Sequence, residues 1–358
     1  MLTRDFDYDL PEGAIAERPA PRGESRLLVL DRTEAERHAR VRDLPRLLRP
    51  GDLVVVNDTR VIPARLFAQR AEAADGAFGI ELLLVEKLGE RTWEVLAKPG
   101  KRVRPGAVLA LGEGLSAEVI ALRDDGRREV RFSSEVEPYL DRLGHVPLPP
   151  YIKRADDAAD RERYQTVFAK HPGAIAAPTA GLHLSNEILS QLSAAGIGVA
   201  SLTLHVGIGT FKPVTAELVH EHRMEKERWE IDEETAAAIE RTRARGGRVV
   251  AIGTTVVRAL ESAAAEPGSG GEIRAGSGAT RLFITPGYSF RAVDVLMTNF
   301  HLPCSTLLML VSAFAGRERI LAAYREAIDA GYRFYSYGDA MLVERVPPDN
   351  HHDSPGTR

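Results

Sequence analysis

Five short apolar segments at regular spacing, between Pro63 and Pro149, constrain the fold more than any other feature of the sequence. They read IELLLV, TWEVLA, AVLAL, AEVIAL and REVRF, and Gly, Asp-Gly or Pro-Gly signals separate them. Short strands divided by turn residues are typical of an all-β domain. The pattern therefore predicts a small barrel or sandwich that ends at the proline-rich segment VPLPPYI.

Apolar segments on both sides of this region predict the strands of a second domain. SRLLVL and DLVVVN precede the region, whereas VASLTL, RVVAIG, RLFIT and AMLVER follow it. Helical segments alternate with the later strands, and Ser185, Asp232 and Ser305 are suitable residues to cap three of these helices. Such alternation indicates an α/β fold in which helices cover a sheet.

The two patterns together predict a discontinuous α/β main domain that is interrupted by an inserted β domain. The α/β domain comprises residues 1–62 and 150–345, and the inserted domain comprises residues 63–149. We expect the Gly/Ser-rich stretch 263–279 to be a flexible surface loop. The polar tail, residues 346–358, is expected to be disordered.

Composition excludes several classes of protein. Of the 358 residues, 44% are hydrophobic, which is enough for two cores, and 47 Lys and Arg against 51 Asp and Glu leave a net charge of −4. The single cysteine, Cys304, excludes an intramolecular disulfide and a multi-cysteine zinc site. No histidine spacing fits a metal motif. We therefore expect no bound metal. Since no signal peptide or membrane-spanning run is found, we also expect a cytoplasmic protein that does not bind a membrane.

Polar residues and glycines cluster after several predicted strands, where open α/β sheets bind their ligands. The run NDTR offers amide, carboxylate, hydroxyl and guanidinium groups to one ligand; the alternative is an Asx turn with an Asp58–Arg60 pair. The small-residue loop that carries His183 opens into a helix, whose first N–H groups can hold an anion. The alternative there is a capped helix with a packed histidine.

Three further clusters contain candidate residues. LHVGIGTFKPV has Lys212 in place of the third glycine of a dinucleotide-binding motif, so a Rossmann site is excluded and a tight turn with His205 remains. GTTVVRALES begins a helix and can cradle an anion, although an Arg258–Glu261 ion pair is the alternative account of its charges. Aromatic residues precede Asp339, and such a group suits a planar base or a sulfonium cation, although a plain core strand is the alternative.

The longest segments form one collinear set between residues 7 and 342. They are DYDLP, SRLLVLD, GDLVVVNDTRVIPARL, VPLPPYI, DRERYQTVFA, GAIAAPTAGLHL, LTLHVGIGTFKPV, VVAIGTTVVRALES, FITPGYSF, VLMTNFHLPCSTLLMLVSAFAG and YRFYSYGDAML. In this order they resemble the S-adenosylmethionine:tRNA ribosyltransferase-isomerase family of queuosine biosynthesis.

The resemblance implies an enzyme that modifies tRNA. It would transfer and isomerise the ribosyl moiety of S-adenosylmethionine onto 7-aminomethyl-7-deazaguanine at the wobble position, giving epoxyqueuosine-tRNA, adenine and methionine. S-adenosylmethionine would then be a consumed cosubstrate, with no resident cofactor and no metal. The resemblance also implies an α/β domain with an inserted antiparallel β-barrel, and we expect the enzyme to act as a monomer.

The implied reaction needs a base beside the sulfonium, an acid for the departing adenine and an unprotonated amine. We hypothesise that His183, His205 and His301 divide the acid/base roles, because an unperturbed imidazole titrates near neutrality. Asp339 and Glu261 would hold the aminomethyl cation or the sulfonium. The candidate binding residues are Thr179, Gly181, Thr254 and Thr255 for methionine or ribose oxygens, Arg60 for a carboxylate or phosphate, and also Asn57, Asp58, Thr59, Gly207, Gly209, Thr210, Gly253, Arg258 and Asn299.

One position departs from the family pattern. The family has His-x-Met-His-x-Glu where this chain has HRMEKE, so that Glu225 replaces the second histidine, while His222 and Glu227 match. The resemblance therefore transfers no catalytic role to Glu225.

Two other functions remain open, a non-catalytic RNA-binding protein that uses the β segment as a platform and an S-adenosylmethionine-dependent methyltransferase. The net charge bears on how RNA would be held. Without a global positive field, binding requires local clusters of cations. The candidates are Lys98, Lys101, Arg102 and Arg104, or Lys153, Arg154, Arg161 and Arg163.

Overall fold

The structure, a computed structural model, describes residues 1–32, 36–70, 79–211 and 214–346. Its strands are β1 (Arg26–Leu30), β2 (Glu36–Arg40), β3 (Leu53–Asn57), β4 (Thr59–Val61), β5 (Arg65–Arg70), β6 (Ile80–Lys87), β7 (Thr92–Lys98), β8 (Val108–Gly112), β9 (Leu115–Leu122), β10 (Arg128–Phe132), β11 (His171–Ala174), β12 (Gly198–Leu204), β13 (Glu227–Ile231), β14 (Val249–Ile252), β15 (Gly276–Thr280), β16 (Val295–Asn299) and β17 (Ala340–Glu344). Its α-helices are α1 (Leu44–Leu47), α2 (Glu137–Leu143), α3 (Ala158–Arg163), α4 (Asn186–Ala194), α5 (Glu233–Ala244), α6 (Thr254–Ala264), α7 (Thr306–Ala315) and α8 (Arg317–Asp329).

The chain divides into two compact units. The first, which we call the sheet unit, comprises Met1–Asn57, Thr179–Leu204 and Pro213–Arg358. The second, the barrel unit, comprises Asp58–Pro178 and His205–Lys212. The bounds predicted for the domains, at residues 62 and 150, stay a prediction.

A nine-stranded sheet forms the centre of the sheet unit, in the order β15-β13-β12-β3-β14-β16-β17-β1-β2. Strands β12, β3, β14 and β16 are parallel to one another, whereas β17 and β1 run in the opposite direction. Every residue of β3, β14 and β16 is buried. Strands covered on both faces need apolar side chains on both, which explains the unbroken apolar runs VVV and VVAI.

A closed six-stranded barrel, in the order β10-β7-β6-β5-β8-β9, lies in the barrel unit. Its neighbouring strands are antiparallel. Burial alternates along β6, so that Ile80, Leu82 and Leu84 are buried while the residues between them are half-buried. Because successive side chains of a strand point to opposite faces, this alternation fills the interior with apolar groups and leaves the charges outside.

The structure confirms the predicted fold class, an α/β fold with an antiparallel β-barrel between its parts. The three predicted caps are also confirmed: the side chains of Ser185, Asp232 and Ser305 accept hydrogen bonds from the backbone N–H groups of Ile188, Thr235 and Leu308. The five predicted barrel strands are present, with β5 as an unpredicted sixth. The predicted tail lies outside the described residues except for Val346.

Two local predictions are wrong. RLFIT, residues 281–285, was expected to be a strand, but the strand is the preceding segment β15. The hydroxyl of Thr280 accepts the N–H of Leu282 at 3.0 Å and turns the chain there. β15 also lies in the Gly/Ser-rich stretch that we expected to be a flexible loop. A Cβ on Gly278 would lie 2.7 Å from the ring of Trp229, so these small residues make room for an indole on the neighbouring strand.

Candidate active site

Six strands of the nine-stranded sheet begin or end at one edge, and five of these segments bring polar residues there. The parallel strands β12, β3, β14 and β16 end at this edge, and the reversed strands β1 and β17 begin at it. We call it the carboxyl edge. The residues that the strand ends place there are Ser25, Asn57, Gly253, Thr254, Thr255, Asn299 and Asp339. Polar groups from distant parts of the sequence thus meet where α/β sheets bind ligands.

Asn57 connects three of these segments. Its side-chain amide donates to the carbonyl of Leu204 at 2.9 Å and accepts the N–H of the same residue at 3.0 Å. The amide nitrogen also lies 3.3 Å from the hydroxyl of Thr255 at the start of α6. Asn57 therefore continues the pairing of β3 with β12 and orients the first turn of the helix.

The turn between β14 and α6 requires glycine. Gly253 has φ +95° and donates its N–H to the carbonyl of Met297 at 2.8 Å. Other residues rarely adopt this conformation. It allows α6 to begin directly at the edge, with Thr254 buried and Thr255 half-buried in the first turn. The first N–H groups of such a helix are suited to an anion or a ribose oxygen.

His183 is buried at the end of a 3-10 helix, Thr179–His183, which also carries Gly181. Its Nδ1 lies 3.0 Å from the hydroxyl of Ser25, and its Nε2 lies 3.0 Å from the amide nitrogen of Asn299. That nitrogen also donates to the carbonyl of Tyr335 at 3.1 Å, which fixes the orientation of the amide. His183 Nε2 is therefore the acceptor and Nδ1 carries the proton that is donated to Ser25.

Two features around Asn299 mark a constrained position. The side-chain oxygen of Asn299 is buried and accepts no hydrogen bond within the described part of the chain. Tyr335, whose carbonyl holds the amide, has φ +72°, which is strained for a residue other than glycine. A buried acceptor without a hydrogen bond costs about 1–3 kcal/mol. A donor group on a bound ligand would remove this cost, so the oxygen is suited to a ligand.

Asp339 and Glu261 are buried carboxylates that accept backbone N–H groups. The two oxygens of Asp339 accept the N–H of Arg26 at 2.9 Å and of Arg333 at 2.8 Å. Glu261 accepts those of Arg291, Ala292 and Val293. Asp339 thereby fixes the backbone at the carboxyl edge, whereas Glu261 fixes residues that precede β16, at the opposite edge of the sheet. The predicted contact of either carboxylate with a substrate cation stays a prediction.

The predicted alternative pairing of Arg258 with Glu261 is wrong. Arg258 forms an ion pair with Glu227 of β13, and both side chains are buried. Burial lowers the pKa of the Arg258 guanidinium to about 10. The reason is geometric: Glu261 turns towards the 291–293 backbone, which leaves Arg258 directed at the neighbouring strand. Removing one partner of such a buried pair typically destabilises a protein by about 3–5 kcal/mol.

His301 lies fully inside the sheet unit. Its Nε2 is 3.0 Å from the hydroxyl of Thr298, and its backbone N–H donates to the hydroxyl of Tyr324. Burial lowers the pKa of the imidazole to about 3. At neutral pH the ring is therefore uncharged and has no ionising proton to give.

The remaining predicted residues belong to the barrel unit. Nδ1 of His205 lies 2.8 Å from the hydroxyl of the buried Thr59. A Cβ on Gly173 would lie 2.8 Å from the His205 ring, so glycine allows the ring to stack on this backbone. Asp58 is buried and lies 3.8 Å from Nε2 of His171, whereas Arg60 is exposed.

His205 belongs to a short segment with two of the predicted glycines. Gly207 and Gly209 follow it, the latter in the 3-10 helix Ile208–Phe211. The side chain of Thr210 lies outside the described residues, as does Lys212. The structure thus gives His205 a defined partner in Thr59, and it gives none of the contacts of Thr210.

Nearly the whole chain is similar to known proteins. Residues 3–343 match the family of queuosine biosynthesis proteins. The chain belongs to this family. It is 52% identical to the S-adenosylmethionine:tRNA ribosyltransferase-isomerase of Heliobacterium modesticaldum over 94% of this chain and 98% of that protein. It is 55% identical to the protein of the same name from Gloeobacter violaceus over 96% of each chain.

A solved structure is similar over almost the whole length. The crystal structure of an S-adenosylmethionine tRNA ribosyltransferase from Thermotoga maritima has a TM-score of 0.53 and 39% identity, and the match covers 95% of this chain and 99% of that chain. Among the described residues, no group of three or more His, Cys, Asp or Glu side chains is arranged for a metal ion. No helix in the described ranges is long and apolar enough to cross a bilayer.

Three members of the site were not predicted from the sequence. Ser25 was considered only as the start of an apolar strand, Glu227 only as a match to the family pattern, and Tyr335 only as one of several aromatics. A buried serine before β1 and a positive φ at a tyrosine have no signal in residue type. Only the partner of each side chain shows its role.

Proposed function

We propose that this chain transfers and isomerises the ribosyl moiety of S-adenosylmethionine onto tRNA in queuosine biosynthesis. The acceptor would be 7-aminomethyl-7-deazaguanine at the wobble position, and the products would be epoxyqueuosine-tRNA, adenine and methionine. The observation that carries the proposal is the identity of 52% or more to the ribosyltransferase-isomerases named above, over at least 94% of this chain. The family match, residues 3–343, spans every element of the carboxyl edge.

The geometry of the carboxyl edge supports the proposal. The reaction has to bind a ribose, an amino acid and a purine and to move protons at defined atoms. The edge gathers hydroxyls of Thr254 and Thr255 at a helix start, the amide of Asn57 and the unsatisfied oxygen of Asn299. Donors and acceptors held by backbone contacts bind such polar groups with little reorganisation.

We assign the proton transfers by the environment of each histidine. His205, which is half-buried and held by Thr59, is the base or acid of the proposal. His183 is held in one tautomer by Ser25 and Asn299, and it would accept a proton or position the substrate through Nε2. His301 would act only as a neutral imidazole, because its pKa lies near 3.

The other predicted residues keep supporting roles in the proposal. Asp339 would set the backbone around the edge, Glu261 would set the backbone before β16, and both would contribute negative charge towards a substrate cation. Arg60, which is exposed, remains the proposed partner of a carboxylate or phosphate. The remaining proposed binding residues are Asp58, Thr59, Thr179, Gly181, Gly207, Gly209, Thr210, Gly253 and Arg258. We further propose that the enzyme acts in the cytoplasm as a monomer, with no resident cofactor or metal.

One assay tests the reaction against its alternatives. The protein is incubated with S-adenosylmethionine and tRNA that bears the aminomethyl base, and the small products are separated by chromatography. Free adenine and methionine in equal amounts support the proposal. S-adenosylhomocysteine would indicate a methyltransferase, and binding of tRNA with neither product would indicate a non-catalytic RNA-binding protein.

A further inference from the structure

The two basic clusters of the sequence have different surroundings in the barrel unit. Residues 98–104, KPGKRVR, contain four cations and no carboxylate. Residues 153–163, KRADDAADRER, contain four cations and also four carboxylates, Asp156, Asp157, Asp160 and Glu162. The first segment is therefore strongly positive, whereas the second is neutral.

Side-chain contacts increase this difference. In the second segment, the guanidinium of Arg154 binds both oxygens of Asp160, at 2.5 and 2.8 Å. Arg161 donates to the carbonyls of Asp141 and Gly144, both at 2.8 Å. These two arginines hold α3 and the loop before it in place. They are therefore engaged in structure and not available to a phosphate.

Residues 98–104, which we call the basic turn, present their charges to solvent. Lys98, Lys101, Arg102 and Arg104 are all exposed, and none of the four has an ion pair within the described chain. The nearest facing carboxylate in the strand register is Glu81, opposite Lys98. It is already paired with Arg65 at 3.0 Å. Within the described part of the barrel unit, no ion pair therefore neutralises these four charges.

A fifth cation holds the basic turn in one conformation. Arg128 of β10 donates to the carbonyl of Gly100 at 3.0 Å, to that of Val103 at 3.2 Å and to that of Gly126. A Cβ on Gly100 would lie 2.6 Å from the same guanidinium, so the close approach depends on glycine. Backbone hydrogen bonds from Arg102 to Pro99 and from Val103 to Gly100 close the turn. An ordered turn loses less conformational entropy when it binds a ligand than a flexible loop does.

The neighbouring β9–β10 turn does not cancel this charge. Residues 123–129 contain Arg123, Arg127 and Arg128 against Asp124, Asp125 and Glu129, so their sum is zero. Arg127 pairs with Asp125 at 3.0 Å and Arg123 with Glu129 at 2.5 Å. This turn therefore adds no net negative charge beside the basic turn.

We infer that the basic turn docks the phosphate backbone of tRNA, and that the 153–163 segment does not. The inference rests on the proposed function, which makes tRNA the substrate. Arg and Lys are the side chains that bind nucleic-acid phosphates, and each phosphate contact releases counterions and makes affinity depend on salt. Contacts to phosphates carry no sequence information, so we expect the basic turn to contribute affinity and not sequence preference.

The test uses two variants of the full-length protein with equal loss of charge. The first is K98Q/K101Q/R102Q/R104Q. The matched control, K87Q/R91Q/R123Q/R142Q, removes four exposed cations elsewhere on the barrel, of which three pair with carboxylates of the barrel unit. Binding of a full-length tRNA transcript is measured by fluorescence anisotropy between 50 and 200 mM salt, and S-adenosylmethionine binding is measured by calorimetry. Circular dichroism and thermal unfolding confirm that both variants are folded.

We expect the first variant to lose tRNA affinity by about 10-fold or more at low salt. The slope of log affinity against log salt should fall by about 3, which corresponds to four lost contacts at about 0.7–0.9 each. The control should stay within about threefold of the unaltered protein, and both variants should bind S-adenosylmethionine normally. An unchanged slope in the first variant, or an equal loss in the control, would overturn the inference.

Two further measurements separate this inference from the proposed function and from a different polyanion. If the unaltered protein releases no adenine, and only the first variant has a lower affinity for tRNA, the proposed reaction is wrong and the docking surface stands. If adenine release is normal and the KM for tRNA is the same in both variants, the docking surface is wrong and the reaction stands. Vesicles with 30% anionic lipid serve as a second probe, and binding of vesicles that depends on the turn, with tRNA binding unaffected, would also overturn the inference.

Discussion

The carboxyl edge of the sheet and the surface of the barrel both concentrate polar groups, but they bury them differently. At the edge, Asp339 is almost fully buried and accepts backbone N–H groups, and Glu261 is buried and held in the same way at the opposite edge of the sheet. On the barrel, charged pairs such as Arg142 and Glu113 have side chains that are 57% and 41% exposed. Removing one partner of a buried polar pair lowers the stability of the fold strongly, whereas removing one partner of an exposed pair lowers it little. Polar groups at the edge are therefore held in place by burial, whereas the charges on the barrel stay accessible to solvent.

The largest effect on stability should follow loss of charge at Glu261. In E261Q an amide nitrogen replaces one of the two oxygens that accept the N–H groups of residues 291–293. We expect the free energy of unfolding to fall by about 3 kcal/mol, since charge-assisted hydrogen bonds and a buried donor are lost together. Urea unfolding followed by circular dichroism measures this value. E272Q, at an exposed position, should leave it unchanged; equal values for the two variants would remove the contrast between buried and exposed carboxylates.

The largest effect on catalysis should follow loss of the His205 ring. H205A should lower kcat/KM for adenine release about 100-fold or more, which corresponds to about 2.7 kcal/mol, because an acid or base at the reacting group contributes this much. H145A is a suitable control, since His145 lies in the same unit and is held by Asp156 at 2.9 Å. Near-normal turnover of H205A would exclude His205 from the proton transfers.

A smaller effect should appear in the pH dependence of stability. The pKa of His301 is lowered by burial to about 3 from its ordinary value near 6.5, so the unfolded chain takes up the proton first as the pH falls. Stability is therefore complete above pH 6.5 and decreases below it, by about 2 kcal/mol between pH 7.5 and 5. H301Q keeps a hydrogen-bonding group near Thr298 but does not titrate. Its stability should fall less over this interval, and an identical slope in both proteins would contradict the buried neutral imidazole.

The smallest effect should be found on the barrel surface. R142Q breaks the exposed pair with Glu113 and should change the free energy of unfolding by less than about 0.5 kcal/mol, because water screens both charges. Thermal unfolding at low and high salt measures it. A decrease in the free energy of unfolding comparable to that of E261Q would show that the stability of the barrel also depends on its charged pairs.

Much of the fold could be predicted because its signals are local. Three capping side chains, the apolar runs of β3 and β14 and the alternation along β6 each lie within a few residues of the structure that they predict. β15 could not be predicted, because its glycines are explained only by Trp229 on the neighbouring strand. The partner of Arg258 was missed for the same reason, since Glu227 lies 31 positions away in the sequence.

By itself the sequence determined the fold class, the capped helices, the family resemblance and most of the residues that meet at the carboxyl edge. The tertiary structure alone decided how those residues are engaged: His301 is neutral, His183 is held in one tautomer, and Glu261 and Asp339 bind backbone. It also distinguished a basic turn with no ion pair among the described residues from a cluster in which Arg154 and Arg161 are engaged. Residue types and spacings record local conformation, whereas burial and hydrogen-bond partners come from segments distant in the chain, and these set charge and protonation.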